Sequence, residues 1–223
     1  MKLDNSDKMS LEELEKSLLL YAVTDRTWTE NASLYEQVEE TLKGGTTFVQ
    51  LREKDLPYAE FKSEGEKIFE LCKNYSVPFV INDNVQLAKE LAADGVHIGQ
   101  DDMEISEARK IIGKNKILGV SVQTAEDAIL AEKQGADYLG VGAVFSTSTK
   151  LDAVDVSFEE LQKICAAVKI PVVAIGGINK QNICKLAKSG ICGVAVVSAI
   201  FAQENIFDAT KELLQETKNI VSL

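Results

Sequence analysis

Eight short runs of β-branched and other apolar residues, each followed by a stretch with apolar residues three and four apart, constrain this chain more than any other feature. The runs are Leu18–Thr24, Thr47–Arg52, Pro78–Asn82, Gly95–Gly99, Ile117–Val122, Tyr138–Gly142, Pro171–Gly176 and Gly193–Ser198. They are continuous rather than alternating, the pattern of strands buried on both faces of a parallel sheet. Helices are predicted between and after them, near 31–44, 57–75, 84–93, 104–113, 124–134, 157–168, 179–189 and 204–221. Gly44-Gly45, Gly113, Gly135 and Gly190 fall just past the ends of four of these, where a left-handed cap belongs. Eight strand–helix units in 223 residues match a single (β/α)8 TIM barrel spanning 18–223. A short helical extension is expected over 1–17, where Ser10-Leu11-Glu12-Glu13 has the form of a cap. A doubly wound open sheet is the competing architecture, weakened by the strand count and the lack of an early GxGxxG.

Composition excludes several classes of function. A charged fraction of 26% against 45% hydrophobic residues is a globular balance, and this length buries roughly 70–75% of the unfolded surface, enough for one core. The net charge of −11 disfavours a nucleic-acid partner. It leaves an anionic small molecule open, since distant charges are screened beyond about 8 Å. No apolar run is long enough to cross a membrane, and the polar start Met1-Lys2-Leu3-Asp4-Asn5 lacks the order of a secretory signal, so a cytoplasmic location is expected. Cys72, Cys165, Cys184 and Cys192 lie far apart in apolar segments and read as buried free thiols. The single histidine, His97, cannot build a multi-histidine metal site.

In a barrel of this kind, functional residues belong just after each strand. Strand 2 ends in Gln50-Leu51-Arg52-Glu53-Lys54, where alternation puts Gln50, Arg52 and Lys54 on one face and Leu51 and Glu53 on the other. An amide followed by two cations suits a ligand that joins a hydrogen-bonding ring to phosphate. Asp83 and Asp102 stand just before predicted helices and fit either N-caps or the carboxylates of a Mg²⁺ site, which commonly uses one or two carboxylates plus substrate phosphates. Arg52, Lys54 and Lys150 supply three positive charges, Asp83 and Asp102 two negative ones; with Mg²⁺ the sum of about +3 matches a diphosphate ester of about −3. Gly176-Gly177, after strand 7, lets backbone N–H groups approach a second phosphate. The loop after strand 6, about fourteen residues long, carries Thr147 and Thr149 and suits a binding or lid role. Ser121 and Val197-Ser198 close strands 5 and 8, and no Ser/His/Asp set for acyl chemistry is found.

Taken in order, Gln50-Leu51-Arg52-Glu53-Lys54, Ile81-Asn82-Asp83, the run Asp94 to Asp102, Gly119-Val120-Ser121, Thr147-Ser148-Thr149-Lys150, Ile175-Gly176-Gly177-Ile178 and Val197-Ser198-Ala199-Ile200 strongly resemble the thiamine phosphate synthase family over about residues 18–202. The resemblance implies a (β/α)8 barrel, a Mg²⁺ requirement, and transfer of a hydroxymethylpyrimidine from its diphosphate to a thiazole phosphate with release of diphosphate. It implies that Gln50, Leu51, Arg52, Glu53, Lys54, Asn82, Ser121 and Lys150 bind the pyrimidine diphosphate. Thr147, Ser148, Thr149, Gly177, Val197 and Ser198 would bind the thiazole phosphate, and Asp83 and Asp102 the metal. Arg52, Lys54, Lys150 and Ser121 are the expected catalytic set, acting through a dissociative reaction with no protein nucleophile.

Two departures from the family pattern stand out. Many relatives carry a histidine where this chain has Gln123, and Leu151 stands where a second lysine is common. The rival reading is the related thiazole tautomerase, which uses a histidine at that place for proton transfer and lacks the paired aspartates; a glutamine is no general base near neutral pH. A non-catalytic ligand-binding paralogue would have lost the charged row, which is intact. Small-molecule substrates are therefore the expected partners, and association into a homo-oligomer is left open.

Overall fold

The apolar runs form eight strands of four to six residues: β1 (Leu20–Val23), β2 (Phe48–Leu51), β3 (Phe79–Asn82), β4 (Gly95–Ile98), β5 (Ile117–Val122), β6 (Tyr138–Val141), β7 (Val172–Ile175) and β8 (Gly193–Val196). Every neighbouring pair is parallel, and β8 returns to β1 with Leu20 opposite Val194 and Ala22 opposite Val196, so the sheet closes as a barrel. The computed structural model describes residues 8–30, 32–100, 102–146 and 155–221. Around the barrel lie α2 (Leu34–Gly44), α3 (Tyr58–Asn74), α4 (Val85–Glu90), α5 (Ile105–Ile112), α6 (Ala125–Gln134), α7 (Phe158–Ala167) and α9 (Ile206–Val221). The N-terminal α1 (Leu11–Ser17) and the short α8 (Ser198–Phe201) complete the helices. The predicted TIM barrel is the fold the chain adopts, and each strand lies inside its predicted run.

Alternation along the strands divides the core in two. Leu20, Ala22, Val49 and Leu51 face the helical layer, whereas Tyr21, Val23 and Phe48 fill the barrel interior. Inside, the rings of Tyr21, Phe48 and Tyr138 pack edge to face, with centroids 4.6 to 6.0 Å apart. Leu14 and Leu18 of the leading segment join this interior cluster. Ser10 and Glu13 form the reciprocal capping box expected of the extension, so α1 is a nucleated helix that seats Leu14 under the barrel. The amide of Val194, near the start of β8, donates to the Leu19 carbonyl, which places α1 at the N-terminal ends of the strands, opposite the rim where barrel chemistry sits.

Three local expectations are corrected. The helix predicted over 179–189 is reduced to one 3-10 turn, Ile183–Leu186. Asn179 and Asn182 draw the backbone away from helical bonding: Asn182 accepts from the Asn179 amide, Asn179 accepts from that of Gln181, and the Asn182 side chain donates to the Gly177 carbonyl at 2.8 Å. Ser198 does not end a strand; β8 stops at Val196 and Ser198 begins α8. All four cysteines are free as expected, but Cys184, lying in the 3-10 turn, is exposed. The predicted glycine caps hold at Gly45 and Gly135, both left-handed with φ 102°, which terminate α2 and α6. Among the described residues no helix is long and apolar enough to cross a membrane.

Candidate active site

The C-terminal rim of the barrel opens into a cavity of about 640 Å³. Gln50, Arg52 and Lys54 all line it, as period-two alternation requires, together with Asn82 from β3 and Ser121 from β5. Leu51 and Glu53 do not line it. Leu51 is fully buried against the outer helical layer, and Glu53 turns away to meet Arg26, its Oε2 2.8 Å from the Arg26 Nε. Arg26 also pairs with Glu64, tying the loop after β1 to α3. Burial, reinforced by the neighbouring Glu64, pushes the Glu53 carboxyl up to about 7 against the opposing pull of Arg26. The alternation that aims Arg52 at the cavity aims Glu53 at a structural ion pair.

Arg52 is held from two sides. Its amide donates to the Thr24 hydroxyl at 2.9 Å, and its guanidinium lies 3.5 Å from the Asp25 carboxylate. Its side chain is only 16% exposed, so the charge is presented from a partly desolvated position where an anion gains more than it would in water.

Asp83 and Asp102 both line the cavity, and neither is the N-cap of its following helix. Asn84 caps α4 by accepting from Leu87, and Glu104 precedes α5 without a side-chain cap. Asp102 instead accepts from the Gly99 amide at 2.7 Å. Asp83 is in the left-handed region at φ 60°, and the Asn82 side chain donates to its carboxylate. Burial, with the hydrogen bond and charge of Asp102, pushes the Asp83 carboxyl up to about 7; Asn82 and Arg52 oppose the rise. Two carboxylates crowded together in a desolvated pocket, one at strained backbone, make a donor pair that a divalent cation would relieve. Among the described residues there is no cluster of three or more His, Cys, Asp or Glu suited to a metal; a Mg²⁺ site commonly adds substrate oxygens and water to one or two carboxylates.

Gly177, Val197 and Ser198, after β7 and β8, line the same cavity as the cations. Gly176 and Gly177 have φ of 100° and 63°, and a Cβ at Gly177 would lie 2.5 Å from the Ser146 carbonyl oxygen, so the turn requires glycine. Thr147, Ser148, Thr149 and Lys150 lie outside the described residues. Gln123 also lines the cavity, so the departure from the family pattern falls at the site itself rather than away from it.

Sequence reasoning missed three polar side chains: Tyr21 and His97, which line the cavity, and Tyr138, which is fully buried beside them. Gln50 Nε2 donates to the Tyr21 hydroxyl, whose oxygen lies 2.8 Å from that of Tyr138. Tyr138 is 2.9 Å from His97 Nδ1, and His97 Nε2 is 2.9 Å from Ser121 Oγ. Five side chains thus form one hydrogen-bonded chain from Gln50 to Ser121. The signal for it was present: Tyr21, His97 and Tyr138 occupy inward strand positions, where a polar group needs a partner.

A closed parallel barrel with cations, paired carboxylates and a glycine turn converging on its C-terminal rim defines an enzyme that handles phosphate esters. A sequence profile described as thiamine monophosphate synthase matches residues 20–200, and the chain belongs to that family. A thiamine-phosphate synthase of Ruminiclostridium cellulolyticum is 50% identical over 196 residues, 88% of this chain and 93% of the relative. One of Clostridium acetobutylicum is 46% identical over 199 residues, covering 89% and 94%. The solved structure of a thiamine phosphate pyrophosphorylase from Pyrococcus furiosus superposes with a TM-score of 0.86 at 42% identity, covering 93% of this chain and 99% of that one.

Proposed function

We propose that this transferase joins an aminopyrimidine methyl diphosphate to a thiazole phosphate, releasing diphosphate and forming thiamine phosphate. The observation that carries the reading is the convergence of Arg52, Lys54, Asp83 and Asp102 on one cavity that the Gly176-Gly177 turn also lines. In this reading Gln50, Asn82 and Ser121 orient the pyrimidine, and Arg52 and Lys54 meet the diphosphate, where negative charge grows as the carbon–oxygen bond breaks. Lys150 is assigned to the same diphosphate on its motif alone. Gly177, Val197 and Ser198 hold the thiazole phosphate, joined on motif by Thr147, Ser148 and Thr149, so that the thiazole nitrogen faces the carbon that diphosphate leaves. Asp83 and Asp102 would hold Mg²⁺, which supplies further neutralisation of the leaving diphosphate when bound. The bond breaks dissociatively, leaving a pyrimidinylmethyl cation that the thiazole nitrogen captures, and no protein nucleophile is needed. Residues 18–223 form the catalytic unit in this proposal, with 1–17 as an extension. A cytoplasmic location is supported by four unbridged cysteines.

The tautomerase reading is disfavoured by Gln123, which sits in the cavity with no basic nitrogen to move a proton. Diphosphate release measured with both substrates, with each alone, and with and without Mg²⁺ tests the proposal. Stoichiometric diphosphate and thiamine phosphate, formed only with both substrates and Mg²⁺, is the expected result. Isomerisation of the thiazole without diphosphate release would move the chain to the tautomerase class.

A further inference from the structure

We infer that the buried chain Gln50–Tyr21–Tyr138–His97–Ser121 is a specificity device: its hydrogen-bond polarity makes the cavity accept an aminopyrimidine and reject the analogue with an oxo group in place of the amino group. The inference rests on the pyrimidine assignment made above, and it concerns three residues, Tyr21, Tyr138 and His97, that act through Gln50 and Ser121 as positioning residues.

The polarity follows from counting hydrogens. Gln50 Nε2 donates to Tyr21, so the Tyr21 hydroxyl has its own hydrogen left to give, and the neighbour 2.8 Å away is the Tyr138 oxygen. Tyr138 then gives its hydrogen to His97 Nδ1 at 2.9 Å. A neutral imidazole has one donor and one acceptor, so accepting at Nδ1 places the hydrogen on Nε2, which donates to Ser121 Oγ at 2.9 Å. Ser121 keeps its hydroxyl hydrogen for the cavity, and Gln50, whose Nε2 gives one of its two hydrogens to Tyr21, keeps its amide oxygen free to accept. The two ends therefore offer an acceptor and a donor. That pair complements an exocyclic amino group beside an unprotonated ring nitrogen. Running the chain the other way would need the Gln50 amide turned over, and would present a donor and a lone pair, the complement of an oxo group beside a ring N–H.

Reversal is costly because it must be concerted and buried. Tyr138, in the middle of the chain, is fully buried and does not line the cavity, and Tyr21, Gln50 and His97 are only 1%, 4% and 8% exposed, so a Tyr138 hydrogen that loses its acceptor has no solvent to turn to. The fold also makes room for this chain. A Cβ at Gly119 would lie 2.3 Å from the Tyr138 oxygen and 2.5 Å from His97 Nδ1, and one at Gly140 would lie 3.1 Å from the His97 ring, so glycine at both positions lets the imidazole and phenol meet inside the barrel.

Two measurements test this. The chain has one histidine, so its ring-nitrogen chemical shifts in ¹⁵N-labelled protein report the tautomer without assignment. The Nε2–H form is expected in the unmutated protein; the Nδ1–H form overturns the polarity whatever the enzyme's activity. Second, kcat/KM is compared for the amino substrate and its oxo analogue. The unmutated enzyme should prefer the amino form by about 10³-fold or more, as sites that hydrogen-bond their substrate do. Tyr138→Phe should lower that ratio by at least about tenfold, while KM for thiazole phosphate stays the same and the histidine spectrum becomes a mixture of tautomers. An equal loss for both pyrimidines, with the ratio intact, would assign Tyr138 a merely structural role and sink the inference. If Tyr138→Phe does not fold, Tyr21→Phe breaks the same chain beside Gln50 and must lower the ratio in the same way. No turnover of the amino substrate by the unmutated enzyme would count against the proposed function instead, and the tautomer measurement would still decide the polarity.

Discussion

Replacing Arg52 by alanine is expected to lower kcat/KM for the pyrimidine diphosphate by about 10²–10³-fold, the loss typical of removing one donor aimed at developing negative charge. The side chain is placed for this by its neighbours rather than by its own flexibility: Thr24 holds its backbone and Asp25 lies 3.5 Å from the guanidinium. A preorganised, partly desolvated cation stabilises charge as it forms without having to be reoriented. KM for thiazole phosphate should change little, since that ligand is assigned to the residues after β7 and β8 rather than to Arg52. Arg52→Lys should recover only part of the activity, because an ammonium keeps the charge but loses the planar fork that matches two phosphate oxygens at once. Steady-state kinetics with each substrate varied in turn checks both expectations, and a matching rise in thiazole phosphate KM would refute this division of the cavity.

Asp83→Asn is expected to stabilise the metal-free protein at pH 8 while abolishing its response to Mg²⁺. In the folded state burial and Asp102 raise the Asp83 carboxyl from near 4 to about 7. An acid whose folded value is raised binds its proton more tightly folded than unfolded, so its contribution to stability is present below about pH 4, falls as pH rises through 7, and stays lost above. Removing the charge should restore on the order of 1–2 kcal/mol at pH 8, after allowing for solvent screening, and nothing at pH 4. Asparagine tolerates the left-handed backbone at this position, so the turn survives the substitution. Urea unfolding at the two pH values, with and without Mg²⁺, is the check. The unmutated protein should gain stability from the metal and the variant should not; equal gains would return Asp83 to a structural role.

Much of this was legible in the sequence because the strands are buried on both faces. Runs such as those containing Val172–Ile175 and Gly193–Val196 read as parallel strands, their recurrence eight times favours a barrel over a doubly wound sheet, and the barrel then fixes which residues reach the rim. Alternation at 50–54 correctly separated Arg52 and Lys54 from Glu53, although motif resemblance had grouped them together. The helix expected after β7 failed because apolar spacing does not register asparagine side chains that compete for backbone hydrogen bonds at Asn179 and Asn182. Inward strand positions marked Tyr21, His97 and Tyr138 as polar groups in need of partners, but not which partners they find. Tyr21, His97 and Tyr138 come from β1, β4 and β6, and only closure of the barrel brings them together.

The central claim is that one rim of this barrel gathers the charge needed to draw diphosphate from carbon. The most direct test is a crystal structure with Mg²⁺ and a non-cleavable diphosphonate analogue of the pyrimidine substrate. The account predicts the ring between Gln50 and Ser121, the phosphonates on Arg52 and Lys54, and the metal between Asp83, Asp102 and phosphonate oxygens. Phosphonates seated instead on the Gly176-Gly177 turn, or a metal bound away from both aspartates, would contradict it.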